Sequence, residues 1–291
     1  MGSGIAQTAA ASGYRVVIRD TSEQVLLQGR GAIERSLGKL VEKGGLTASG
    51  RDAALARLLF TTDLDSMSGA ELVIEAVPED LEIKNALWRE LDGRCQIDTI
   101  FASNTSSLRI GSMAAATRRP DRVVGLHFFN PVPLMPLVEV VRGLQTSGET
   151  FERVVAFARS LGKETVTSSD TSGFLVNRLL VPYLMDAVRA LENGTGSVAD
   201  LDTAMRLGCG HPMGPFALLD FVGLDTAVRI AEIMFDEYRE ARFAPPPLLR
   251  RMVTAGLYGR KSGKGFYDYS VSPPKPVTAH SLSPRSTDVR L

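Results

Sequence analysis

Seven short runs rich in apolar and β-branched residues alternate with helical stretches over the first 170 residues and then stop, and this change of texture constrains the chain most. The runs are Arg15 to Arg19, Leu59 to Asp63, Leu72 to Val77, Thr99 to Asn104, Val123 to Phe129, Leu137 to Val141 and Glu164 to Ser168. Strands that alternate with helices build an α/β fold, a mainly parallel sheet covered on both faces. After the first run, Glu23 to Lys43 has helical periodicity, closes on Gly44-Gly45 and is followed by a second helical stretch, Thr47 to Leu58. That pair predicts a helical hairpin inserted in the sheet domain.

Beyond Asp170 the periodicity is helical over Gly173 to Glu192, Val198 to Leu207, Phe216 to Arg239 and Pro247 to Ala255, and no further strand is expected. The predicted plan is a sheet domain over 1–171, an all-helical domain over 172–269 and a disordered tail over 270–291, where Pro, Ser and Thr replace apolar residues. With 44% hydrophobic residues, each half can bury a core. Lys plus Arg and Asp plus Glu both number 33, and no long basic run exists, which argues against nucleic-acid and membrane-surface partners. No apolar stretch approaches the roughly 20 residues of a membrane helix. The two cysteines, Cys95 and Cys209, stand far apart without a CxxC, so neither a metal site nor a disulfide framework is expected.

The opening Met1-Gly2-Ser3-Gly4-Ile5-Ala6 enters a helical pattern, turns at Gly13 and passes through Val16-Val17-Ile18 to Asp20. This has the form of the back half of a βαβ unit. In the Rossmann arrangement the third glycine of GxGxxG packs the first helix on the first strand, and an acidic residue about 20 positions on binds the ribose hydroxyls. Gly2 and Asp20 fit those places, the alternative being an ordinary start and an ordinary turn. Asp20 would repel the extra phosphate of NADP, so NAD is the expected cofactor. The first strand and first two glycines of that pattern would precede Met1. Without them two strand edges stay unpaired, each buried N–H or C=O costing about 1–3 kcal/mol. The expectation is therefore a truncated form of a longer chain, with the first strand missing and Met1 internal to a phosphate loop.

Of three histidines, His280 falls in the tail, His211 lies in a Gly-Cys-Gly-His-Pro turn, and His127 ends an apolar strand. Ligands of open α/β sheets bind beyond the carboxyl ends of strands, so His127 stands where catalysis is expected. Twelve residues on, Glu139 interrupts the apolar run Val138-Glu139-Val140-Val141, and a buried carboxylate needs a partner. A histidine held by a carboxylate through one ring nitrogen is a general base of fixed tautomer. The alternative is a core histidine bonded to a backbone carbonyl, with an edge-strand glutamate. Ala102 to Ser107, hydroxyl and amide residues directly after a strand, either caps the next helix or offers donors to a substrate oxygen.

The runs Ser103-Asn104-Thr105-Ser106-Ser107, His127 to Pro133, Asp170-Thr171 with Gly173-Phe174 and Val176-Asn177-Arg178, Pro212 to Phe216, and Gly263-Lys264-Gly265-Phe266-Tyr267 resemble, in order and spacing, the L-3-hydroxyacyl-CoA dehydrogenase family, which includes 3-hydroxybutyryl-CoA dehydrogenases. The resemblance covers nearly all of residues 1–269. It implies NAD-dependent oxidation of a (3S)-3-hydroxyacyl-CoA to the 3-ketoacyl-CoA, with His127 as base and Glu139 orienting it. Ser106 and Asn177 then bond the substrate oxygen, Asn177 reaching across from the helical domain. Gly2, Asp20, Glu79, Lys84, Ser106, Asn130 and Lys261 match positions that line the cofactor site. Ser36 and Lys43, in the inserted hairpin, match positions that meet coenzyme A. His211 stands where relatives often carry an aromatic residue and is expected to pack. A homodimer through the helical domain is implied as well. The alternatives are a gulonate-type sugar-acid dehydrogenase of the same fold, or a crystallin-like or truncated inactive relative. Arginine far outnumbers lysine, which leans toward a bacterial cytoplasm, with the mitochondrial matrix as the alternative.

Overall fold

A computed structural model describes residues 1–277, which divide into two units, Met1–Phe174 and the residues from Leu175 on. In the first unit, α1 (Gly2–Ala11) leads into β1 (Val16–Arg19) and then the helical hairpin α2 (Glu23–Glu42) and α3 (Ala48–Ala56). Each hairpin helix starts on a hydroxyl: Ser22 accepts from the Val25 N–H and Thr47 from the Gly50 N–H. Such a cap satisfies an orphan amide of the first turn and is worth about 1 kcal/mol. Leu26, Ile33 and Leu37 form the inward stripe of α2, and Ile33 and Leu37 pack with Ala6, Ala10, Ala54 and Leu58.

The remaining elements of this unit are β2 (Leu58–Thr61), β3 (Leu72–Glu75), α4 (Leu81–Arg94), β4 (Ile100–Ser103), α5 (Ile110–Ala114), β5 (Val123–Phe128), β6 (Leu137–Arg142), α6 (Gly148–Ser160) and β7 (Glu164–Ser169). All seven expected strands form, within two residues of their expected bounds. β3, β4, β5, β6 and β7 make one sheet in that order, parallel except where β6 returns antiparallel to β5. The connection from β5 to β6 spans only residues 129–136, too short for the crossover of a dozen or more residues that a parallel pair needs. The return sets His127 directly opposite Glu139. Side chains alternate along a strand, so Val123, Gly125 and His127 share one sheet face. On that face Val123 and Val141 pack with Trp88, Phe101, Ile110, Met113 and Phe174. The other face carries Val124, Leu126, Phe128, Val138 and Val140, against Ile5, Ala9, Val154 and Ala158.

β1 pairs in parallel with β2 alone, as a separate two-stranded sheet. β1 and β3 line one cleft of about 1550 Å³, and among the described residues no strand pairs with the edge either presents away from its partner.

The second unit holds α7 (Val176–Glu192), α8 (Val198–Gly208), α9 (Pro215–Val222), α10 (Leu224–Tyr238) and α11 (Pro247–Thr254) around Leu184, Met185, Val188, Phe216, Leu219, Leu224, Met234 and Phe243. Three expectations are corrected here. The helix expected from Gly173 begins at Val176, because the chain first turns at Phe174, whose φ is +49° and whose ring is buried in the first unit. The single helix expected over Phe216 to Arg239 breaks at Gly223, whose φ of +98° no helix accommodates. Strands do follow: β8 (Tyr267–Asp268) pairs antiparallel with β9 (Lys275–Pro276), and Val277 N–H donates to the Phe266 carbonyl at 2.8 Å. Backbone pairing thus holds residues 275–277 despite the polar, Pro-rich composition around them; the rest of the expected disordered tail from 278 on, with His280, lies outside the described residues.

Candidate active site

The cross-strand register of β5 and β6 brings the His127 ring to a carboxylate, with Nδ1 2.6 Å from Glu139 Oε2. Glu139 is fully buried and His127 is 7% exposed. The rings of Phe129 and Phe174 lie 4.6 and 5.8 Å from the imidazole, limiting its rotation. A carboxylate only accepts, so the short bond puts the proton of neutral histidine on Nδ1 and leaves Nε2 as the basic atom.

At the carboxyl ends of β3 and β4 a second network forms. Glu79 Oε1 accepts from the Thr105 hydroxyl at 2.6 Å, from Ser106 N–H at 2.9 Å and hydroxyl at 3.3 Å, and from Ser107 N–H at 3.0 Å and hydroxyl at 2.9 Å. Its other oxygen lies 3.4 Å from Lys84 Nζ. Lys84 is wholly buried and donates to Glu75 Oε1 at 2.6 Å, while Glu75 Oε2 accepts from the Ser103 hydroxyl at 2.6 Å. Burial pushes the Glu79 carboxyl up, but the Lys84 charge and the hydrogen bonds from the turn outweigh it and hold the group below the ordinary glutamate range. The turn is tied at both ends: Phe128 N–H, next to His127, donates to Asn104 Oδ1 at 2.9 Å, and the Ser172 hydroxyl donates to the Ser107 carbonyl at 2.7 Å.

Gly2 and Asp20 border the cleft between β1 and β3, which also reaches Glu75, Ala76, Val77 and Pro78. α1 begins there without a side-chain cap, and the N-terminal end of a helix favours negative charge. Asp20 ends β1 with only long contacts, 3.4 Å from Ser22 N–H and from the Thr21 hydroxyl. An uncapped helix start and a lightly engaged acid at the end of the neighbouring strand fit the diphosphate and ribose of a dinucleotide.

Asn130 is exposed just after β5, at the start of a loop whose Val132 and Met135 carbonyls accept from buried Lys163 Nζ at 2.6 and 2.8 Å. Ser36 and Lys43, seven residues apart, fall on one side of α2, Ser36 half-buried and Lys43 exposed at its end. Asn177 sits in the first turn of α7, and Lys261 pairs with Asp225 at 2.6 Å, both in the second unit. His211 packs edge-on to Tyr183, ring centroids 5.5 Å apart.

Glu75 and Lys163 were not singled out from sequence, and Asn104, Thr105 and Asp170 stood there only within longer runs; the Asp170 carboxylate caps α5 by accepting Ile110 and Gly111 N–H at 2.6 and 2.7 Å. Glu75 carried the signal that exposed Glu139, a carboxylate within an apolar strand. The described residues contain no cluster of three or more His, Cys, Asp or Glu that could hold a metal ion, and no helix among them is long and apolar enough to cross a membrane.

Comparison with known proteins adds to this geometry. Residues 1–171 match the family profile of the 3-hydroxyacyl-CoA dehydrogenase NAD binding domain, and residues 173–269 that of the 3-hydroxyacyl-CoA dehydrogenase C-terminal domain. A 3-hydroxybutyryl-CoA dehydrogenase of Mycobacterium tuberculosis is 51% identical over 92% of this chain and 95% of its own. The mitochondrial hydroxyacyl-coenzyme A dehydrogenase of Homo sapiens is 48% identical over 92% and 88%. The crystal structure of (S)-3-hydroxybutyryl-CoA dehydrogenase PaaH1 from Ralstonia eutropha is 43% identical, covers 93% of this chain and 96% of its own, and superposes with a TM-score of 0.89.

Proposed function

Because the chain belongs to the 3-hydroxyacyl-CoA dehydrogenase family, NAD-dependent oxidoreductases acting on 3-hydroxyacyl-CoA thioesters, we propose that it interconverts a (3S)-3-hydroxyacyl-CoA and the 3-ketoacyl-CoA with His127 as general base. The observation that carries this reading is the 2.6 Å contact between His127 Nδ1 and buried Glu139, made across a strand pair whose register holds both side chains. Nε2 takes the proton of the 3-hydroxyl as C3 is oxidised. The imidazolium that results is stabilised by Glu139 in a water-poor setting, where an opposite charge in contact counts for more than in solvent. Ser106 and Asn177 orient the reacting oxygen. NAD, when bound, supplies the two-electron acceptor; Gly2 and Asp20 hold its diphosphate and ribose, and Glu79, Lys84, Asn130 and Lys261 serve the rest of its site. Ser36 and Lys43 meet coenzyme A, a polyanion suited to a lysine.

The test is turnover of acetoacetyl-CoA with NADH. His127→Ala cuts the rate on the order of 10²- to 10⁴-fold, the usual cost of a lost general base, without loss of NADH binding. An unchanged rate defeats the assignment, and turnover of a sugar acid in place of the thioester would favour the gulonate-type alternative.

A homodimer through the second unit forms part of the proposal. Leu179, Phe221 and Val222 of that unit are exposed, Leu179 by 78%, and large exposed apolar side chains favour a covering partner. Sedimentation at micromolar concentration should give twice the chain mass; a monomer there counts against it.

A further inference from the structure

The reading of Ser106 as a substrate-oxygen donor leaves open what aims it, and the Glu79 network supplies an answer that rests on that reading. Five donors from three consecutive residues converge on one oxygen of Glu79. A carboxylate offers about four lone-pair sites over both oxygens, so five donors on one oxygen cannot all be well served. The Ser106 hydroxyl, at 3.3 Å, makes the longest of the five contacts, while the Thr105 and Ser107 hydroxyls hold at 2.6 and 2.9 Å. We propose that Glu79 is a positioning residue for the reaction: it fixes the Thr105–Ser107 turn through the flanking hydroxyls and the turn's own amides, and leaves the Ser106 hydroxyl as the donor most easily turned toward the reacting oxygen.

Lys84 completes the device. Shared between Glu75 and Glu79, it keeps Glu79 ionised and therefore an acceptor at both oxygens, and through Glu75 and Ser103 it ties the turn back to β3 and β4. The Asn104 bond to Phe128 N–H anchors the same turn to the strand that carries His127, so Glu79 sets the Ser106 side of the site relative to the base.

Glu79→Gln keeps the shape and removes the charge and one accepting atom. In the acetoacetyl-CoA assay it should lower kcat by about 10-fold or more with little change in KM for the thioester, the pattern of a donor misplaced in the transition state. In a Ser106→Ala background the same change should cost less than about 3-fold, because coupled residues are not additive. A readout independent of turnover is amide exchange in the cofactor-free protein, where Ser106 and Ser107 should exchange faster in Glu79→Gln. Equal costs of Glu79→Gln in both backgrounds, full activity of the single variant, or unchanged amide protection would each overturn the proposal. Should Glu79→Gln fail to fold, Ser107→Ala, which keeps the ion pair, should give the same coupling to Ser106→Ala with a smaller factor, and additivity there overturns it too. An inactive wild-type chain defeats the parent reading and this one together; an active wild type with a fully active Glu79→Gln defeats this one alone.

Discussion

In the first unit, two carboxylates reach side chains that can react: Glu139 the His127 ring, Glu79 the hydroxyls of Thr105, Ser106 and Ser107. In the second unit, Asp202 and Asp220 end on backbone. Asp202 accepts from Phe216 and Ala217 N–H at 2.8 and 3.0 Å, and Asp220 from Phe266 and Tyr267 N–H, both at 2.9 Å. Tyrosine hydroxyls fill the remaining places, Tyr267 on Asp202 and Tyr269 on Asp220. Space confirms the second role: a Cβ on Gly265 would lie 2.0 Å from Asp220 Oδ1, so the loop must carry glycine where it passes the acid. The charge settings differ as well. Lys84 offsets the burial of Glu79, whereas burial, with Asp202 nearby, pushes Asp220 up to about 6 against its hydrogen bonds. Acids placed to fasten a loop can tolerate protonation; acids placed to hold a base or aim a donor need their charge.

Substitutions that neutralise an acid in each unit test this contrast. Glu139→Gln should have the largest effect, lowering kcat on the order of 10²-fold or more by loosening the tautomer and the imidazolium, while NADH affinity stays nearly unchanged. Equal loss of NADH binding would make Glu139 a structural acid like Asp220. Asp220→Asn should instead cost stability, about 1–3 kcal/mol in denaturant unfolding, because the amide nitrogen cannot accept from the N–H or hydroxyl it faces. With wild-type stability in that variant, the fastening role would fall. The smallest effect is in pH. The folded-state value of Asp220 stands above its reference of 3.8, so its stabilising contribution is complete below 3.8 and is lost as pH rises through about 6. Glu79 has the opposite sign: its contribution is present above the ordinary glutamate range and is lost as pH falls through its lowered value. Comparing wild type with Asp220→Asn between 3.8 and about 6 isolates the first slope; no difference there contradicts it.

Much of this was legible from local pattern. Each strand of the first unit announced itself by apolar, β-branched runs, and the short connection after His127 forces the antiparallel return that pairs it with Glu139. Glu75 was as legible as Glu139 but has no histidine opposite; its partner Lys84 lies on the following helix, nine residues on. Phe174 delays the start of α7 because packing on the first unit's core outweighs its periodicity, and no window of sequence contains that contact. Gly223 reads as a tolerable helix glycine until its positive φ is seen. β8 and β9 are two residues each, held by backbone bonds that composition does not encode.

Nitrogen chemical shifts of the His127 ring near neutral pH bear most directly on the central claim, and with only three histidines in the chain the signals can be assigned by substitution. The account predicts a protonated Nδ1, held by Glu139, and a bare, imine-like Nε2 that is protonated only as the ring gains charge. A proton resident on Nε2 with Nδ1 bare would contradict it.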